Sequence, residues 1–157
     1  MKGTVMKAFA RVVVPVLIIA FVFGVAYAQF AKSEDAINYR KAVMTLIAQN
    51  IKWMGAVVQG KADYKKDEFS TEADAVEMLT TLPWKAMTEP GSDKGDTTMS
   101  SAVFEKEEQF RETASEFETA AAKLATAARG GDLNAVKAQF GQVVKFCKTC
   151  HSEFRKK

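Results

Sequence analysis

Between residues 33 and 154 apolar side chains recur at spacings of three and four, and no apolar/polar alternation of period two persists anywhere in that stretch. Four segments carry the helical spacing. The first opens at Ser33, read as an N-cap ahead of Glu34 and Asp35, and its stripe of Ile37, Met44, Ile47, Ile51, Met54 and Val58 runs until Gly60. The second covers about 63–81, with Asp67 and Glu68 early, Phe69, Val76 and Leu79 inward, and Pro83 as its stop. The third covers 100–128, with Phe104, Phe110, Phe117, Ala121 and Leu124 inward and Gly130-Gly131 as terminator. Asp132 caps a fourth, which runs to the chain end with Val136, Phe140, Val143, Val144, Cys147, Cys150 and Phe154 on its apolar face. Residues 88–98, which include Pro90, Gly91, Asp93 and Gly95, have turn composition without periodicity and read as a long surface connection. The pattern predicts an all-α chain folded as an antiparallel four-helix bundle.

Ahead of the bundle, Lys2, Lys7 and Arg11 precede an apolar run from Val12 to Val25, and Ala26-Tyr27-Ala28 offers a small-x-small cleavage site. Residues 1–28 therefore read as a signal peptide, cleaved after Ala28, and residues 29–157 as one exported, periplasmic, soluble domain. An uncleaved membrane anchor competes, but Pro15 and Gly24 interrupt a run already short for spanning. The leader also holds three of the 22 basic residues and none of the 19 acidic ones, so the remaining 129 residues carry 19 charges of each sign. No nucleic-acid partner is implied, since only the Arg155-Lys156-Lys157 tail concentrates positive charge.

The chain has two cysteines and one histidine, and all three fall in Cys147-Lys148-Thr149-Cys150-His151, the CxxCH pattern of c-type haem attachment. A redox dithiol is the competing reading, but such pairs sit at a helix N-terminus beside a βαβ unit, whereas this one lies late in a long helix. At 100° per residue Cys147, Cys150, His151, Phe154 and Arg155 fall within an arc of about 100°, so one haem c, covalent through both thiols, would lie against the core. Its iron would take the adjacent His151 as proximal ligand. With no second histidine, a distal histidine and bis-histidine ligation are both excluded. Peroxidase-type acid–base chemistry also loses its usual proton donor, so the chain reads as a binding protein and not an enzyme.

With these features the segment resembles the cytochrome c′ family, the class II c-type cytochromes. The resemblance covers nearly all of residues 29–157 and rests on Gln29-Phe30-Ala31-Lys32, Glu34-Asp35-Ala36, Tyr39-Arg40, Leu82-Pro83-Trp84, the helix end at 127–132, and the Cys147 to Arg155 motif. It implies a five-coordinate haem with Met44 closing the sixth site, Arg40 meeting a haem propionate and Trp84 flanking the haem edge. Met87 would stand in the distal wall, Phe154 near the haem, and Arg155 beside His151. It also implies binding of small diatomic gases, nitric oxide or carbon monoxide, with nitric-oxide sequestration as a role, and homodimers packed through the first two helices.

Each residue also has a plainer role. Met44 alone is core filler, Arg40 a solvated charge, Trp84 a plug after a helix stop and Arg155 a cation complementing a helix C-terminus. The alternative function is a low-spin electron carrier in which the Met44 sulfur coordinates iron, since a thioether is a competent haem ligand. Its redox partner is not identified by the sequence.

Overall fold

The computed structural model describes residues 29–156, so the leader predicted over 1–28 lies outside the described residues. Six helical segments follow one another: α1 (Ser33–Val58), α2 (Lys66–Thr80), α3 (Trp84–Met87), α4 (Ala102–Glu105), α5 (Glu107–Gly130) and α6 (Leu133–Phe154). The four long ones, α1, α2, α5 and α6, form the expected bundle.

Side-chain pairs fix its direction and register. Trp53 of α1 meets Phe69 of α2, Arg129 near the end of α5 pairs with Asp74 of α2, and Phe140 of α6 fills the space beside Gly55 of α1. Neighbouring helices therefore run antiparallel around the ring. The α5 helix packs most extensively, against α6 and α2, whereas the seam between α1 and α6 is thin. Small residues explain the close α5 packing: Ala114, Ala120, Ala121, Ala125 and Ala128 are buried along one face and let the partner helices approach. Val43, Ile47, Met54, Phe69, Val76, Leu124, Val136 and Val143 complete the main core.

Glycine and aspartate set the α5–α6 hairpin. Gly131 caps α5 with φ of 84°, a left-handed conformation that side chains disfavour, and the Asp132 carboxylate accepts from Asn134 N at 2.9 Å to start α6.

Four boundaries differ from the sequence expectation. Lys32, not Ser33, is the N-cap of α1, and its carbonyl accepts from Asp35 N, so Ser33 lies inside the first turn. The second helix starts later, at Lys66, because residues 61–65 are non-helical and bring the Tyr64 ring to 5.7 Å from Phe69. The single helix expected over 100–128 is broken at Lys106, with φ of −124° and ψ of 47°. That break turns Val103 inward and leaves Phe104, expected in the core, exposed. Finally, Arg155 leaves α6 in an extended conformation and forms an isolated antiparallel bridge with Met99. It is thus not a last-turn cation; the basic side chain in the last turn of α6 is His151.

Among the described residues no helix is long and apolar enough to cross a membrane.

Candidate haem-attachment site

The apolar interior falls into two clusters. The larger fills the bundle, while the smaller consists of Met99, Val103, Phe110 and Phe154 at the end where α6 finishes. Met44 and Cys147 pack against the first, Met87 and Cys150 against the second, and Trp84 against both. Trp84 and the two cysteines therefore lie where the core divides. An extended apolar disc would join the two halves at this place.

Both cysteines are free thiols and half-buried. Burial pushes the Cys147 thiol up, and burial together with the neighbouring Cys147 charge pushes Cys150 up to about 11. A reactive redox dithiol needs the opposite shift, so the environment does not favour that competing reading. His151 is on the exposed margin of the arc, and partial desolvation followed by the Arg155 charge lowers its pKa, favouring the neutral, metal-binding imidazole. Among the described residues no three His, Cys, Asp or Glu side chains converge to hold a bare metal ion. One histidine beside two thiols a helical turn apart fits a haem bonded through both sulfurs.

Phe154 is buried and meets Phe110 edge-on at 5.3 Å. Trp84 in turn meets Phe110 and Phe117 edge-on, at 5.9 and 6.3 Å, and its indole N–H donates to Glu118. Met44 is half-buried on the core side of α1.

Arg40 is only 3% exposed, so it is not the solvated charge its residue type alone suggests. Nη1 donates to Ala86 O at 2.9 Å, and Nη2 to Ser92 O at 2.5 Å and Thr97 Oγ1 at 2.7 Å. Desolvation lowers its pKa, with Asp93 partly opposing that shift. Arg40 thus pins the connection over 88–98, and that connection is built inward at Ser92, which is fully buried. Ala86, Ser92, Thr97 and Glu118 had no signal in the sequence. Their contacts join residues 34 to 57 positions apart, and no local spacing encodes them.

Residues 35–155 match the family model described as Cytochrome C′. Cytochrome c′ of Alcaligenes xylosoxydans is 36% identical over 129 residues, covering 82% of this chain and 99% of that protein. Cytochrome c prime from Shewanella frigidimarina superimposes with a TM-score of 0.79 at 38% identity, over 82% of this chain and 99% of that one. Two solved variants of the Alcaligenes xylosoxidans protein, one with nitric oxide and one with carbon monoxide bound, each give a TM-score of 0.77 over 82% of this chain. Their identities are 34% over 98% of the first and 35% over 99% of the second.

Proposed function

The chain belongs to the cytochrome c′ family, which implies a covalently bound c-type haem, and on that premise we propose that one such haem binds a small diatomic gas on the face away from His151. The observation that carries this reading is the placement of Trp84, Cys147 and Cys150 where the core divides, Trp84 packing on both clusters and the two cysteines on one each. Cys147 and Cys150 would hold the cofactor, and it would supply an iron able to bind nitric oxide or carbon monoxide.

The residues around it do the selecting. Met44, half-buried on the core side of α1, would crowd the gas-binding face with a flexible apolar chain that resists bulky ligands and yields to a diatomic one. Half-burial of both thiols would seat the apolar macrocycle against the bundle. The chain offers no distal histidine, so its chemistry is binding and not turnover. Nitric-oxide sequestration and stress protection follow as the role, and the variants of the relative with nitric oxide and with carbon monoxide support the ligand class.

Export to the periplasm, with cleavage after Ala28, belongs to the same reading, since haem attachment to CxxCH and a leader over 1–28 go together. So does a homodimer through α1 and α2, where Leu46 and Met78, with Leu82 in the turn just after α2, are 53%, 64% and 39% exposed.

The alternative of a low-spin electron carrier keeps one specific support: Met44 packs on the same cluster as Cys147 and carries a sulfur that iron accepts. Optical and electron-spin-resonance spectra of the exported, haem-loaded protein, with carbon monoxide added to the reduced form, decide between the two. A high-spin signal and a carbon monoxide adduct are expected; a low-spin signal without an adduct assigns the chain to electron transfer.

A further inference from the structure

The buried Arg40 guanidinium has no carboxylate within salt-bridge distance among the described residues; its three hydrogen-bond partners are two backbone carbonyls and a hydroxyl. Of its five N–H donors those contacts use three, leaving Nε and one Nη1 hydrogen. Asp93 acts on it only through space, and a buried cation with spare donors is costly unless a directly bonded acceptor completes the site.

A second group at the same place is also incomplete. Ser92 Oγ is buried without any hydrogen-bond partner, while the carbonyl of that same residue accepts from Arg40. Four covalent bonds separate the two Ser92 oxygens, so the orphan hydroxyl lies within a few ångströms of the guanidinium. Ala86, whose carbonyl takes Nη1, stands in α3 between Trp84 and Met87, and both of these pack on the cluster that holds Cys150. The incomplete pair therefore borders the place where the haem is proposed.

We propose that Ser92 Oγ donates a hydrogen bond to a carboxylate side chain of the haem, the group that the family resemblance already sets beside Arg40. The proposal rests on the cofactor assignment above. It gives the buried hydroxyl its missing acceptor and the spare guanidinium donors a charged one.

Ser92→Ala in the exported, haem-loaded protein tests it, with Ser92→Thr as the variant that keeps the hydroxyl. Haem content is first checked by the pyridine haemochrome spectrum, and a colourless wild-type protein would overturn the cofactor assignment and this proposal together. With haem present, Ser92→Ala is expected to shift the propionate bending band in the resonance Raman spectrum and to lower the midpoint potential, because a carboxylate with one donor fewer favours ferric iron. It should also reduce Tm by roughly 4 °C, and Ser92→Thr should restore the Raman band. An unmoved Raman band overturns the proposal while leaving the cofactor assignment standing, whether Tm falls, as loss of a bond to water would cause, or rises, as removal of an unsatisfied hydroxyl would.

Discussion

The indole N–H of Trp84 donates to the Glu118 carboxylate, tying the short α3 segment to α5 at the point where both apolar clusters meet. A hydrogen bond to a charged acceptor contributes more than a neutral one, about 1.5–3 kcal/mol. Trp84→Phe keeps an aromatic ring against Phe110 and Phe117 but removes that donor, and Glu118→Gln keeps an acceptor while removing the charge. Denaturant unfolding of the haem-loaded protein should show the larger loss for Trp84→Phe. The double variant should lose less than the sum of the singles. Additive losses would mean that ring packing alone accounts for Trp84.

Met44 separates the two functional readings. It is half-buried, so Met44→Ala should cost less stability than a fully buried truncation, about 1–2 kcal/mol. If the iron is five-coordinate, the variant stays high-spin and its carbon monoxide association accelerates, because the crowding side chain is gone. Conversion from low-spin to high-spin spectra on the same substitution would show that sulfur was a ligand. Stopped-flow mixing with carbon monoxide and an absorption spectrum of each variant provide both readouts.

The bundle was legible because its helices are long and amphipathic: α1, α2 and α6 lie within about three residues of their expected spans. The attachment motif was legible because two cysteines and the only histidine fall in one five-residue pattern. What stayed hidden depends on tertiary contact. The apolar periodicity around Phe104 passes unbroken through Lys106, yet a single non-helical φ/ψ pair there re-aims the preceding turn. In 88–98, Pro90, Gly91 and Gly95 announce turns but say nothing of the inward-facing Ser92, whose burial follows from the reach of Arg40 across the fold. The extended Arg155 is decided by backbone pairing with a loop more than fifty residues earlier, including Lys156 N to Thr98 O at 2.8 Å.

The broken third helix makes a paired prediction. Phe110 is 1% exposed and sits edge-on to Trp84 and Phe154, so Phe110→Ala should cost about 3–5 kcal/mol. Phe104, 37% exposed on α4, should tolerate Ser within about 0.5 kcal/mol. A continuous helix with both rings in the core would instead give comparable losses, and guanidinium unfolding of the two variants measures the difference.

Thiol titration predicts a stability difference at alkaline pH between the haem-free and haem-loaded forms. In the haem-free chain, burial raises Cys147 and takes Cys150 from about 9 to about 11. The folded state therefore holds protons that the unfolded chain releases first. Because stability changes with pH in proportion to the protons bound unfolded minus those bound folded, it must fall as pH rises from about 9 to about 11. Below pH 9 this contribution is fully present. Thioether formation consumes both S–H groups, so the loaded protein has no such term. Denaturant midpoints at pH 8 and pH 11 should drop further for the haem-free chain than for the loaded one, and alkylation of the folded haem-free thiols at pH 8 should be slower than of the same chain in denaturant. Equal alkaline losses in the two forms would mean that the thiols are not desolvated against the core.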